Sequence, residues 1–253
     1  MNALSACIIT LNEEKHLARA IASLASVTDE IVVVDAGSTD RTEEVARQHG
    51  AIFLSSPWTN YAEQKNFAAQ KASGDWIFSL DADEELTTQL QASLSAWKRQ
   101  QPQFQVYEIA RRARYLGAWI RHSGWYPDFQ RRLYRRDAAQ FTGIVHEALR
   151  FSGATGRLQG DLLHYTIDTF AEHEDKVERY TTLAAQQMFA GGRKNWRAAL
   201  WFGTPWSWVQ NYFLRGGMLD GYRGALIAQM AARSVRLKYR KLGELVRADE
   251  DAK

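Results

Sequence analysis

Short apolar runs rich in β-branched and aromatic residues alternate with helical patterns along the first part of the chain. Leu4-Ser-Ala-Cys-Ile-Ile-Thr10, Glu30-Ile-Val-Val-Val-Asp35, Ala51-Ile-Phe-Leu54 and Asp75-Trp-Ile-Phe-Ser-Leu80 read as buried strands. Between them, Glu14 to Ala25 places Leu17, Ile21 and Leu24 on one face, and Asp40 to His49 and Tyr61 to Ala72 follow as helices. Strands alternating with helices predict an α/β fold: a Rossmann-like, mostly parallel mixed sheet with right-handed crossovers and helices on both faces. Ligands of such sheets sit at the carboxyl ends of the strands. Thr10, Asn12, Asp35, Gly37, Ser38, Asp81 and Asp83 all fall there.

Further on, an exposed helix is expected around Thr87 to Arg99. Val106-Tyr-Glu-Ile109 and Arg131-Arg-Leu-Tyr-Arg135 alternate like strands that extend the sheet. From Trp196 the composition shifts. Trp196, Trp201, Trp206 and Trp208 cluster around Pro205, and Leu219, Tyr222, Leu226 and Met230 follow at helical spacing among arginines. This predicts a main domain over residues 1–192, in halves 1–100 and 101–192, and a basic, aromatic helical C-terminal extension over 193–253. The extension suits either a membrane headgroup interface or a helical hairpin packed on protein. Gly243 to Lys253 reads as a frayed polar tail.

The stretch Ile77-Phe-Ser-Leu-Asp-Ala-Asp-Glu-Glu85 carries the most chemistry. A buried strand ends in Asp81 and Asp83, with Glu84 and Glu85 behind them. Such crowding of charge asks for a cation, and hard oxygen ligands suit Mg²⁺ or Mn²⁺, which fill their remaining positions with water and substrate phosphates. Alone, an Asp-x-Asp reads first as a solvated loop capping the next helix, and its setting at the end of a buried strand reverses that reading. In the turn Asp35-Ala-Gly-Ser-Thr-Asp40, Asp35 ends a strand and offers acceptors to a nucleobase or ribose, whereas Asp40 reads as an N-cap with Glu43 completing a capping box. Neither a Gly-x-Gly-x-x-Gly fingerprint nor a P-loop occurs.

The 253 residues, 45% hydrophobic and 12% aromatic, suffice for one full core plus an appendage. Cys7 is the only cysteine and lies in a predicted strand, so it reads as a buried thiol in a reducing compartment. The N-terminus has no secretion-signal pattern, and no stretch reaches the ~20 apolar residues of a membrane span, so a soluble or peripheral protein is expected. Net charge is only +3, yet eight arginines between residues 111 and 136 face the single acid Asp128. Ten Lys or Arg between 193 and 241 face Asp220 alone. Both regions ask for anionic partners, and no zinc spacing, helix-turn-helix pattern or ribonucleoprotein motif supports nucleic acid.

Ile8-Ile-Thr-Leu-Asn-Glu-Glu14, Glu30-Ile-Val-Val-Val-Asp-Ala-Gly-Ser-Thr-Asp40, Gln64-Lys-Asn66 and Gly74-Asp-Trp-Ile-Phe-Ser-Leu-Asp-Ala-Asp-Glu84 together resemble family 2 glycosyltransferases of the GT-A fold. The resemblance implies that Thr10, Asn12, Glu13 and Asp35 hold the nucleotide of a sugar donor, that Lys65 lies near its phosphates, and that Asp81 and Asp83 hold a divalent ion on the diphosphate. Residues 1–100 would then be the nucleotide-sugar-binding half and 101–192 the acceptor-binding half.

Gly124-Trp-Tyr-Pro-Asp128, Arg132-Leu-Tyr-Arg135, Val145-His-Glu147 and Phe213-Leu-Arg-Gly-Gly-Met-Leu-Asp-Gly221 with Lys238-Tyr-Arg-Lys-Leu-Gly-Glu244 resemble the lipopolysaccharide core β-glucosyltransferase branch of that family. This implies an inverting transfer of a hexose from a nucleotide-diphosphate sugar, a UDP-hexose, to an anionic glycolipid on the inner face of the cytoplasmic membrane. Arg131, Arg132 and Arg135 would meet acceptor charge.

Inverting transfer needs one base for the acceptor hydroxyl. Glu147 takes that place by resemblance, following the Arg-rich strand and Phe141-Thr-Gly143, with His146 beside it. Asp128 is the rival base or a turn aspartate. His164, after Leu162-Leu163, is a metal or diphosphate ligand or a satisfied core histidine. Trp125 stacks on a sugar ring or is simply buried. Competing readings are a haloacid-dehalogenase-type phosphatase, which would want its Asp-x-Asp after the first strand, a transferase for another envelope polysaccharide or lipid carrier, and a non-catalytic nucleotide-sugar-binding scaffold at the membrane.

Overall fold

The predicted strands and helices of the first hundred residues form in order: β1 (Leu4–Thr10), α1 (Leu17–Leu24), β2 (Glu30–Asp35), α2 (Thr42–Gln48), β3 (Ile52–Ser55), α3 (Tyr61–Lys71) and β4 (Trp76–Asp81). The computed structural model describes residues 1–143 and 147–251. These residues fall into two compact units, Met1–Arg112 with Asp128–His164 and Ala113–Pro127 with Tyr165–Lys253.

In the first unit, β3, β2, β1 and β4 lie side by side and parallel. Register places Thr10 opposite Asp35 and Ile9 opposite Asp81, so the predicted strand-end residues line one edge. β1 is buried on both faces, as its unbroken apolar run demands. Leu4, Ala6 and Ile8 join one core layer with Leu17, Ile21 and Leu24 of α1, while Cys7 joins the opposite layer with Ala62, Ala68 and Ala69 of α3. Burial pushes the Cys7 thiol up to about 12, which makes it an inert packing group.

The strands β5 (Glu84–Leu86), β6 (Val106–Tyr115), β7 (Ala118–Trp119), β8 (Asp128–Arg135), β9 (Ala139–Thr142), β10 (Ala148–Phe151) and β11 (Thr155–Ile167) follow. β8 pairs antiparallel with β4 and β6, and the sheet order runs β3-β2-β1-β4-β8-β6-β11-β5. β9 and β10 form a separate antiparallel pair. The helix expected to be exposed, α4 (Thr88–Lys98), instead buries Leu90, Leu94 and Trp97. Their spacing of four and three residues makes one apolar stripe, and Trp97 meets the Trp76 ring edge-on at 4.8 Å.

In the second unit, β7 pairs with the last residues of β6. α5 (Phe170–Ala190) opens with a capping box between Thr169 and Glu172. α6 (Thr204–Val209) lies between π-helical turns at Ala199–Gly203 and Gln210–Leu214, and α7 (Gly221–Asp251) closes the chain. The expected frayed tail is therefore helical as far as Asp251. Two features hold it: Leu242 and Val246 are buried with Ala185, and Gly243 has no side chain where a Cβ would come within 2.7 Å of the Trp196 ring. Lys241 also anchors α7 on the Glu178 carboxylate at 2.6 Å.

Candidate active site

Along the carboxyl edge of the parallel strands, Asp35 is buried and receives four hydrogen bonds. Its Oδ1 accepts from the Thr10 and Ser38 hydroxyls at 3.0 and 2.5 Å, and its Oδ2 from the Gly37 and Ser38 amides at 2.9 and 2.7 Å. Gly37, at φ 104°, supplies the left-handed turn that aims both amides inward. Asn12 is itself left-handed at φ 57°, and its side-chain Oδ1 accepts from the Thr39 backbone amide at 2.8 Å while its own backbone N–H donates to Ser38 Oγ at 2.7 Å. Thus Asp35 and Asn12 lock the two strand-end loops to each other. Asp40 does not form the expected capping box. It accepts from the Glu14 and Thr42 amides at 3.1 and 3.0 Å, and Glu43 pairs with Arg47 instead.

Beside these loops lies a buried ion network. Lys65 on α3 places its Nζ 3.1 Å from both Asp81 Oδ1 and Glu147 Oε1. Arg132 on β8 donates through Nη2 to Asp81 Oδ2 and Glu84 Oε1, each at 2.6 Å. Arg111 reaches Glu84 Oε1 at 3.4 Å and Asp128 Oδ2 at 2.7 Å. Burial alone would raise the Asp81 carboxyl, but the Arg132 and Lys65 cations outweigh it and hold Asp81 well below the usual carboxylate range. Burial likewise opposes the Arg132 charge, and Asp81 and Glu84 more than compensate, raising its proton affinity. A groove of about 500 Å³ is lined by Lys65, Asp81, Arg131, Arg132 and Glu147, among others.

Asp83 precedes β5, and the β11–β5 register sets His164 opposite Glu84. That pairing brings His164 Nε2 to 3.1 Å from Asp83 Oδ2, with the two side chains 18% and 31% exposed. No group of three or more His, Cys, Asp or Glu positioned for a metal occurs among the described residues. These two partly exposed side chains are nonetheless of a kind that would fit a cation such as Mg²⁺ or Mn²⁺ taking its other ligands from water and a diphosphate rather than from a protein cage. Glu13 lies near enough to feel this charge. Burial, with help from Asp83 and Asp40, pushes its carboxyl up to about 7.

The two predicted bases differ in surroundings. Glu147 lines the groove and its Oε2 has no partner among the described residues, whereas both Asp128 oxygens are engaged, Oδ2 by the Arg111 fork and Oδ1 by Gln130 at 2.8 Å. His146 lies outside the described residues. Of the candidates for acceptor charge, Arg131 lines the groove and is exposed over the Phe151 ring at 5.1 Å, whereas Arg135 lies opposite Trp76, at the end of β4 away from the groove, and pairs with Asp137 at 2.6 Å. Arg132 is buried within the network. Trp125 is in the second unit, half-buried, with its ring edge-on to Tyr115 at 5.5 Å.

Counting charges within residues 111–136 overstated the free positive charge. Arg111, Arg112, Arg114, Arg132 and Arg135 find carboxylates at Glu84 and Asp128, Asp161, Asp168, Asp81 and Asp137. All of these acids but Asp128 lie outside the stretch. Arg136 donates to the Ala72 carbonyl. The sequence reading also missed the parts played by Glu84, Arg111 and Asn66. Asn66 exchanges two hydrogen bonds with the Phe141 backbone, at 2.8 and 2.9 Å, and so anchors β9 ahead of Glu147. An asparagine in mid-helix is a poor helix former and was the available signal.

A parallel sheet with acids gathered at its carboxyl edge, extended by antiparallel strands that bring a carboxylate to the same groove, is a nucleotide-sugar transferase architecture of the GT-A type. The sequence pattern of "Glycosyl transferase family 2" matches residues 5–154. An uncharacterized glycosyltransferase of Rickettsia typhi (strain ATCC VR-144 / Wilmington) is 32% identical over 97% of this chain and 88% of its own length. The lipopolysaccharide core biosynthesis glycosyltransferase LpsC of Rhizobium meliloti (strain 1021) is 32% identical over 92% of this chain and 91% of its own. Among solved structures, S. aureus TarS 1-349 is similar with a TM-score of 0.43 and 14% identity, covering 97% of this chain and 92% of that one. The chain belongs to glycosyltransferase family 2 and is a glycosyltransferase. Its relatives include an enzyme of lipopolysaccharide core biosynthesis, in line with the branch the sequence resembles.

Proposed function

We propose that this glycosyltransferase moves a hexose, with inversion, from a UDP-hexose to an anionic glycolipid of the lipopolysaccharide inner core, using Mg²⁺ or Mn²⁺ at the inner face of the cytoplasmic membrane. The observation that carries the reading is the similarity to LpsC along 92% of the chain. No helix among the described residues is long and apolar enough to cross a membrane, which accords with a peripheral location.

In this reading Thr10, Asn12, Glu13 and Asp35 form the nucleotide end of the site. Asp35 and Asn12 act by fixing the loops, since their oxygens already accept hydrogen bonds within the chain. Asp83 and His164 hold the cation, with Asp81 beside them. When bound there, such a cation would supply positive charge to offset that developing on the departing diphosphate. Lys65, between Asp81 and Glu147, presents its ammonium to the phosphates and orients Glu147. The acceptor oxygen bonds to the anomeric carbon as the bond to the diphosphate breaks, and the hydroxyl proton passes to Glu147 Oε2. Asp128 holds Arg111, which steadies Glu84. Arg131, on the lining of the groove, faces acceptor phosphate or carboxylate.

The test is a screen of nucleotide-sugars for cation-dependent binding, followed by incubation of the best donor with truncated core glycolipids and determination of the linkage formed. A single inverted hexose linkage is expected. Donor binding without transfer to any core glycolipid would overturn the acceptor assignment.

A further inference from the structure

The helical run from Ala199 to Leu214 is inside out. Phe202, Trp206, Val209 and Phe213 follow one another at steps of four, three and four residues, which places them on one stripe. That stripe faces solvent: Phe202 is 77% exposed, Trp206 57% and Phe213 51%, with Trp201 at 75% and Leu214 at 66% beside it. The opposite stripe is small and polar, and it is the buried one. Ser207 and Asn211 are buried, and Asn211 Nδ2 donates to the Ser207 carbonyl at 2.8 Å. Gly203 passes close to Val235 of α7, where a Cβ would stand 3.4 Å from Val235 Cγ1. A helix that only had to pack in water would turn these faces round.

We infer that this aromatic face is a docking surface for an anionic lipid bilayer. It deepens the proposed membrane-surface location and rests on that reading for its partner. Charge selects the partner. Exposed Arg193, Lys194 and Arg197 precede the run, and exposed Arg215 follows it. Between residues 193 and 241 the only acid is Asp220, and its carboxylate is occupied by the His122 amide at 2.9 Å and the His122 imidazole at 3.1 Å. Aromatic and aliphatic side chains flanked along the chain by exposed cations match acyl chains beneath anionic headgroups. A second copy of the chain on the same face would set cations against cations, which opposes self-association.

The test is flotation of the full chain with vesicles of phosphatidylglycerol and phosphatidylcholine, against vesicles of phosphatidylcholine alone. Binding is expected only to the anionic vesicles, and it should weaken as salt rises. The triple variant Trp201→Ser, Phe202→Ser, Trp206→Ser should lose roughly tenfold or more of the partition, with thermal unfolding and UDP-hexose binding unchanged because all three side chains are more than half exposed. A second variant, Arg193→Gln, Lys194→Gln, Arg197→Gln, should flatten the salt dependence. Undiminished binding by the aromatic variant would overturn the inference, as would equal binding to neutral vesicles. So would a wild-type dimer in light scattering that the variant converts to monomer without any vesicle binding. Vesicle binding that follows the predicted pattern while no glycolipid accepts sugar would retain the docking surface and reject the transfer reading instead.

Discussion

Replacing Glu84 by alanine removes a carboxylate with 0% exposure from the centre of the ion network. Its Oε1 accepts from Arg132 and Arg111, and its Oε2 from the Asp81 amide at 3.3 Å. Arg132, with its side chain 4% exposed, would keep Asp81 as its remaining acid. Breaking a buried ion pair by deleting one partner costs about 3–5 kcal/mol, and because Asp81 stays beside Arg132 the lower end, about 3 kcal/mol, applies here. For a chain of this size each kcal/mol moves Tm by about 2–4 °C, so Glu84→Ala should lower it by about 6–12 °C. Glu84→Gln keeps an acceptor of the same shape and should cost less. Differential scanning calorimetry is the assay. A fall of less than about 2 °C for Glu84→Ala would refute the network as a source of stability.

Glu147→Gln should reduce kcat about 10²-fold or more with donor affinity nearly unchanged. Asp128→Asn should act mainly on stability, through Arg111, and the opposite ranking of kcat losses would move the base to Asp128. In chelated protein, Glu13 should titrate near pH 7. A carboxyl raised in the folded state holds its proton longer than in the unfolded chain, so its contribution is fully present below the unfolded value of about 4.5 and is lost as pH rises through about 7. Glu13→Gln should flatten the stability profile across that window, and an unaltered profile would contradict the assignment. Replacing the acceptor's phosphates should raise KM more than it lowers kcat through Arg131, and equal kinetics would make this residue part of a solvated face.

The parallel half was legible because each of its elements is encoded by neighbouring residues. The run Leu4 to Thr10, the stripe Leu17, Ile21 and Leu24, and the acids at the end of β4 carry their own periodicity and polarity. Strand-end chemistry then follows from topology. The ion network was not legible, since nothing near Arg132 announces that its acids are Asp81 and Glu84, about fifty positions earlier in the chain. Hence the local charge count treated paired arginines as free. Helix α4 was misjudged because Leu90, Leu94 and Trp97 are spaced among polar residues that dominate its composition. The C-terminal tail was misjudged because α5 and Trp196, which hold it, are remote in sequence. The inverted face of residues 199–214 shows only as an aromatic cluster until burial assigns which side is covered.

In the proposed function, Asp83 and His164 would hold a cation through which this site grips a sugar nucleotide. Calorimetric titration of UDP-hexose into wild type, Asp83→Ala and His164→Ala, each in Mn²⁺ and in excess chelator, measures it directly. Wild type should bind tightly only with Mn²⁺, and both variants should lose that gain while unfolding normally. Equal affinity of the wild type in Mn²⁺ and in chelator, or full Mn²⁺-dependent affinity in Asp83→Ala, would contradict the claim.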